Sequence, residues 1–425
     1  MMIWIFLGTL FLFLFLGVPV AISMLVSAIV MMFVLGMFDT QIVAENLING
    51  ANSFALMAIP FFILTGEIMN VGGVSKRIVD FASALVGHIR GGLGYVAIIA
   101  GVIFAGISGS AVADTAALGA ILIPMMIANR YNKNSSTGLI ASVGIIGTVI
   151  PPSIPMILFG VISGVSITKL FMSGIVPGVL MAVGLMIVWY FVSKRDNSET
   201  LPKATAKERW EAFIRAFWAL LLPLLIIVGL RGGIFTPTEA GIVAAVYALI
   251  VSLFYRELKL SDLPKIFVET AKTTGVVMFL ASTAMVSAYV ITVAQIPAEL
   301  GTLLGGLTEN PTVLLLTIML LLFLVGCVMD LTPAILIFTP VLLPLVQQAG
   351  IDPIYFGLLM VINLSIGLIT PPVGTVLYVG CGISKISIIE MTKGVLPFLL
   401  VELFVLVLLT IFPELVTIPL GWFGE

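Results

Sequence analysis

The chain has 425 residues, of which 60% are hydrophobic and only 9% charged, with a formal net charge of −2 and a mean hydropathy of +1.25. That apolar content exceeds what a soluble globular domain carries, so the sequence reads as an all-α integral membrane protein in the lipid bilayer. The weak acidic balance excludes a basic surface for nucleic acid; one histidine, His88, and two isolated cysteines, Cys327 and Cys381, exclude a transition-metal ligand set and a disulfide framework.

The N-terminal stretch MMIWIFLGTLFLFLFLGVPV has neither a cationic n-region nor a small-residue cleavage site, so it reads as a retained membrane helix. Residues 1–38 carry no charge and are interrupted by LGVP at Leu16–Pro19, which predicts two helices joined by a tight turn. Further spans are expected near 47–70, 135–164, 170–193, 213–230, 237–255, 273–294, 354–383 and 395–415. Two other apolar stretches, 92–129 and 311–349, hold GISGSAVADT and GCVMDLTP near their middles, as re-entrant hairpins with tips inside the membrane would. Residues 74–90 mix apolar and cationic side chains and suit an interfacial amphipathic helix. The charged run at 193–211 reads as a hydrophilic connector.

The chain repeats itself. Gly106, Pro124, Gly147, Pro151, Pro152, Gly160, Gly174 and Pro177 recur as Gly326, Pro344, Gly367, Pro371, Pro372, Gly380, Gly394 and Pro397, eight identities at one offset of 220 residues. Chance placement would give roughly two or three, so the sequence predicts two duplicated halves. Cationic loops then set their orientation, because short Lys- and Arg-rich loops stay cytoplasmic. Lys76, Arg77, Arg90, Arg130 and Lys133 flank the first hairpin, whereas 296–310 and 349–354 around the second have no Lys or Arg. Conversely 38–46 has none, and its counterpart 256–272 carries Arg256, Lys259, Lys265 and Lys272. The reading is two inverted-topology repeats, 1–193 and 212–425, joined by a cytoplasmic connector at 194–211. Each holds about five crossings, a hairpin and a broken helix (135–164 and 354–383), with both termini outside. Lys169 and Arg231 stand as exceptions on the outer side.

The breaks carry the functional signal. The segments VIPPSIP and ITPP remove backbone N–H groups and free carbonyls, which hydrocarbon tolerates only where the backbone lines a cavity or holds a ligand. Freed carbonyls with Ser and Thr hydroxyls suit a small hard cation, and helix N-termini at the breaks suit an anion. At the first tip Ser108, Gly109 and Ser110 offer hydroxyls and close backbone approach, with Asp114 one turn beyond; at the second, Asp330 occupies the position of Ser110, followed by Thr332. Buried carboxylates at membrane depth point to a site, although Asp114 and Asp330 also fit helix capping or interhelical hydrogen bonding. Thr148 and Thr370 fit either ligation or a bond to their own backbone. Glu67, Glu239 and Glu402 read better as interhelical partners than as proton carriers.

GISGSAVADTAALGAILIPMM, IGTVIPPSIPMILFG, TPTEAG at 236–241 and NLSIGLITPPVGTVLYV together resemble the large membrane (M) subunit of tripartite ATP-independent periplasmic (TRAP) transporters, over essentially the whole chain. The resemblance implies a multi-pass bacterial inner-membrane importer of the ion-transporter superfamily. It would be sodium-driven and elevator-type, with a mobile domain of hairpins and broken helices. Mapped onto this sequence, one sodium ion would sit among Ser108, Ser110, Gly147, Val149 and Pro151, and a second among Gly326, Asp330, Gly367 and Thr370. An organic carboxylate would lie near Ser110, Asp114, Pro152, Ser153, Thr332 and Pro372. Val328 stands where the first tip has Ser108, so the second site depends on backbone and Asp330. The same resemblance implies a separate small four-helix (Q) subunit and a periplasmic substrate-binding (P) protein. It favours sialic acid as substrate, with C4-dicarboxylates second, and sodium as coupling ion with no other cofactor. There is no GxxxxGK[ST] motif for ATP and no catalytic dyad for an enzyme.

Overall fold

The computed structural model describes residues 2–194, 196, 198–303 and 310–422. The chain ends, connector residues 195 and 197, and part of the 296–310 loop therefore lie outside the described residues.

Helices α1 (Met2–Phe15) and α2 (Val20–Val34) pack together across a turn that Gly17 enters at φ +79°. The span expected near 47–70 divides into α3 (Thr40–Ala51) and α4 (Ala58–Val71), bent by 51°. Non-helical Asn52 ends α3, and the Asp39 carboxylate caps its start by accepting from Gln41 N–H at 2.7 Å. Next come the amphipathic α5 (Val74–Val86) and the first helix pair, α6 (Gly92–Ser108) and α7 (Ala111–Ala128). The first broken helix follows as α8 (Lys133–Ile146) and α9 (Ile154–Ser163), and α10 (Ile167–Ser193) ends at the connector.

The second half opens with α11 (Ala206–Arg231) and α12 (Pro237–Phe254). The motif TPTEAG is the start of α12: Thr236 caps, Pro237 takes the first helical position, and Glu239 returns a bond to Thr236 N–H at 2.8 Å. Glu239 is thereby a capping residue. Helix α13 (Leu263–Val293) begins ten residues before the apolar span at 273–294, because Lys265, Glu269 and Lys272 make its first turns polar. The short α14 (Ile296–Leu303) precedes the second helix pair, α15 (Pro311–Gly326) and α16 (Leu331–Gln348). The second broken helix is α17 (Pro353–Gly367) and α18 (Thr375–Ser384); α19 (Ile388–Ile411) and α20 (Glu414–Trp422) complete the described chain. Among the described residues, seven helices are long and apolar enough to cross a membrane, or eight counting the bent pair as one.

The broken helices form the centre. Every residue of α8 from Ser136 on, and of α17 from Tyr355 on, is buried. Helix α8 packs on α7 and α19, and α17 on α15 and α16, while α12 packs on α4 and α13 on α2 and α3. Small residues let backbones meet at these crossings: a methyl group on Gly138 would come within 2.7 Å of Val395 N.

Candidate functional site

Each break is built the same way. After Ile146, the N–H groups of Gly147, Thr148 and Val149 donate to carbonyls three residues back, at 3.1, 3.2 and 3.0 Å. Leu368, Ile369 and Thr370 repeat the pattern after Gly367 at 3.1, 3.1 and 3.0 Å. These tight last turns run into Pro151–Pro152 and Pro371–Pro372, both pairs joined by cis peptide bonds, where no N–H remains to continue a helix.

The turns between α6 and α7 and between α15 and α16, the tips, close on the breaks. Gly109 has φ +67°, and a methyl group there would come within 2.6 Å of the Pro152 carbonyl oxygen. In the second half Val373 N–H donates to the Cys327 carbonyl at 3.1 Å. Ser110 caps α7 by accepting from Ala113 N–H at 3.4 Å, while its own N–H donates to Ser108 Oγ at 3.2 Å. Ser153 bridges the first break: its hydroxyl donates to the Thr148 carbonyl at 2.5 Å and accepts from Met156 N–H at 3.3 Å.

Between tips and breaks lies a cleft of about 400 Å³, within the size range of small-molecule sites. Gly109, Ser110, Thr148, Asp330, Thr332 and Leu368 are among its lining residues, with α13 closing one side through Thr273 and Leu280. The structure therefore brings Ser110, Asp330 and Thr332 to one cleft, as neighbours of both breaks. Asp330 is exposed there and accepts from Thr375 Oγ1 at 3.2 Å. Ser153, Pro152 and Ser108 are buried behind the lining, whereas Pro372 is exposed away from it.

Asp114 is also set back. It is 1% exposed, and the hydroxyl of Ser108 at the first tip acts on its carboxylate. The carboxylate points at Gly147, where any side chain would collide with Oδ2. Neighbouring Thr115 Oγ1 is buried, without a hydrogen-bond partner among the described residues, and faces Gly144. A buried carboxylate and a buried hydroxyl packed on a helix end are oxygen ligands of the kind that a hard cation takes. The Val149 carbonyl faces the other way, against Gly174 of α10. Gly326 and Gly367 meet backbone to backbone, and Thr370 donates its hydroxyl to the Ile366 carbonyl at 2.8 Å.

Ser365 and Thr375 escape the sequence reading. Thr148 and Ser365 share a hydrogen bond of 2.6 Å at a separation of 217 residues, so the 220-residue repeat does not align them. Glu67 lies half-buried on α4 with acidic Glu269 as its electrostatic neighbour.

An all-helical, multi-pass membrane protein with a largely apolar cleft, carrying a few polar side chains, assembled from helix breaks and tips fits a transport protein rather than an enzyme. Residues 7–415 match the family described as "Tripartite ATP-independent periplasmic transporter, DctM component", and the chain belongs to that family. It is a TRAP transporter large permease, one component of a tripartite system that imports a small organic substrate. It is 62% identical to a putative TRAP transporter large permease protein of Haemophilus influenzae, over 94% of this chain and all of the relative. It is 53% identical to the 2,3-diketo-L-gulonate TRAP transporter large permease protein YiaN of Escherichia coli, over 99% of this chain and all of the relative. To the sialic acid TRAP transporter large permease protein SiaM of Vibrio cholerae it is 39% identical over 94% of each chain. Among solved structures, the Alcanivorax borkumensis YdaH transporter shares the fold at a TM-score of 0.65 and 16% identity, covering 90% of this chain and 89% of that one.

Proposed function

We propose that this chain imports an organic carboxylate of the sugar-acid class into the bacterial cytoplasm, driven by sodium, with the substrate held in the cleft between the two hairpin tips. The observation that carries the reading is the cleft itself, in which both tips and both breaks converge beside the buried carboxylate of Asp114. In this scheme the two halves are inverted repeats, and the hairpins with their broken helices move together as the elevator.

Asp114 faces Gly147, on the side that the resemblance gives to sodium, so its role here is to balance the charge of the first ion rather than to touch substrate. Two or more sodium ions entering with one monoanion leave net positive charge moving inward. Each such charge gains about 2.3 kcal/mol per 100 mV of membrane potential, enough to concentrate substrate without ATP. A four-helix Q subunit in the inner membrane and a periplasmic P protein complete the system.

The sialic-acid expectation loses ground to a hexonate-type sugar acid, because the relative named for 2,3-diketo-L-gulonate is 53% identical and the one named for sialic acid 39%. The test is uptake into proteoliposomes holding this chain and its Q subunit, with sodium and P protein each present or withheld. Diketogulonate uptake that needs both establishes the proposal. Sodium-driven uptake without P protein replaces it with a self-sufficient carrier, and uptake of sialic acid or succinate alone keeps the mechanism and changes the substrate.

A further inference from the structure

A second buried carboxylate lies outside the cleft and its sodium sites. Glu402 on α19 is 0% exposed, and neither of its oxygens has a hydrogen-bond partner among the described residues. Asn363 on α17 is also 0% exposed; its Nδ2 donates to the Met319 carbonyl at 2.6 Å, and its Oδ1 has no partner.

The packing of the two helices puts these groups at one level. Tyr355, the third residue of α17, donates its hydroxyl to the Leu409 carbonyl at 2.7 Å, near the end of α19. Helices α17 and α19 pack together, and the start of one meeting the end of the other is the arrangement of an antiparallel pair. Asn363 lies eight residues along α17 from Tyr355, or about 12 Å, and Glu402 seven residues back along α19 from Leu409, or about 10.5 Å. Glu402 and Leu409, two helical turns apart, share one face of α19.

We infer that Glu402 is a proton site: it takes one proton from water, stays a neutral carboxylic acid, and donates that proton to Asn363 Oδ1. An isolated carboxylate in this setting would carry a prohibitive desolvation penalty, and a protonated acid is the partner that an unpaired amide oxygen lacks. Among the described residues no ion pair to Glu402 compensates the charge. Of the helices packed on α19, α8 carries Lys133 in its first turn and α10 carries Lys169 in its first turn and Tyr190 in its last; α15 carries no titratable group, α17 only Tyr355, and α18 only Tyr378 and Cys381. On α19 itself Glu390 and Lys393 sit at the N-terminal end, and Lys393 is nine residues away, about 13.5 Å along the axis. The acid would tie α19 to α17 one turn before the second break at Gly367, so protonation there fixes the helix that carries the break.

Infrared difference spectra of the purified transporter decide the matter. The expected result is a carboxylic-acid C=O band at neutral pH that shifts in heavy water, is lost in E402Q, and moves without disappearing in N363A. E402Q, whose amide can still donate to Asn363, is expected to keep sodium-dependent uptake. A wild-type minus E402Q spectrum showing only carboxylate bands overturns the assignment, and does so in favour of a bound cation if those bands respond to sodium but not potassium. If E402Q does not fold, the N363A spectrum decides alone, and an unmoved acid band overturns the pairing.

Discussion

Thr148 and Ser365, one in each broken helix, are joined hydroxyl to hydroxyl at 2.6 Å in the buried centre of the molecule. With one proton on each hydroxyl, either Ser365 donates to Thr148 while Thr148 donates to the Ile145 carbonyl at 2.7 Å, or Thr148 donates to Ser365 while Ser365 donates to the Val361 carbonyl at 2.6 Å. A continuous chain of polar contacts therefore links the last turns of α8 and α17, the two helix ends assigned to the two cations. Loss of the Ser365 hydroxyl leaves Thr148 a local acceptor, so S365A should cost only about 1 kcal/mol of stability. The larger effect is expected in coupling: the sodium dependence of uptake should become less steep in S365A. An unchanged slope would mean that the two breaks bind their ions independently.

Asp114 gives the sharpest electrostatic prediction. Its carboxylate is buried, has no cationic side chain among its electrostatic neighbours, and is turned towards Gly147, so in the proposed mechanism the ion it faces supplies the missing charge. D114N removes that charge at nearly constant volume. The expected outcome is a folded protein whose thermal stability no longer rises on exchanging potassium for sodium, with apparent sodium affinity for uptake weakened by about tenfold or more, equivalent to about 1.4 kcal/mol. Sodium stabilisation equal to wild type in D114N would remove Asp114 from the ion site.

Much of this architecture is legible in the sequence, and the reasons are local. Proline pairs announce both breaks because they delete N–H groups, and Gly109 announces the first tip because its backbone is left-handed against the Pro152 carbonyl. Short apolar helices such as α14 and α20 leave no such mark, having eight and nine residues and no periodicity distinct from a span. The direction in which Asp114 points depends on how α7 lies across α8, a tertiary fact. Ser365 is hidden for a related reason: its partner Thr148 is related to it by contact across the halves, not by the repeat. The start of α12 was readable as TPTEAG, yet its chemistry is capping, so a motif that identifies a family need not lie in its site.

Gly326 and Gly367 predict an asymmetry. A methyl group on Gly367 would come within 2.6 Å of the Gly326 backbone carbon and oxygen, whereas one on Gly326 would meet its nearest atom, Gly367 Cα, at 3.3 Å. Backbone cannot move aside as a side chain can. G367A should therefore lose about 1–3 kcal/mol of stability by overpacking, and G326A clearly less. Thermal unfolding of the two variants in the same detergent measures the difference, and equal losses would show that the helices α15 and α17 separate easily at this crossing.

The amphipathic helix α5 is pinned by one arginine. Arg77 Nη2 lies 2.7 Å from Glu257 Oε1, its guanidinium carbon sits 3.9 Å from the centre of the Tyr255 ring, and Nη1 donates to the Gly73 carbonyl at 3.0 Å. Lysine can keep the charge but not the fork and the stack together, so R77K should cost about 1 kcal/mol. The tyrosine reports on the same contact. Burial pushes the Tyr255 phenol above its ordinary range, while the Arg77 charge pulls it down. Because the folded phenol holds its proton more tightly than the unfolded one, its contribution to stability is complete below the ordinary tyrosine value and is lost as pH rises from there through the raised folded value. R77Q removes the opposing charge and should move the Tyr255 titration further upward, a change visible in the ultraviolet difference between R77Q and R77Q/Y255F. No upward movement would mean that the arginine acts on α5 through Glu257 and Gly73 alone.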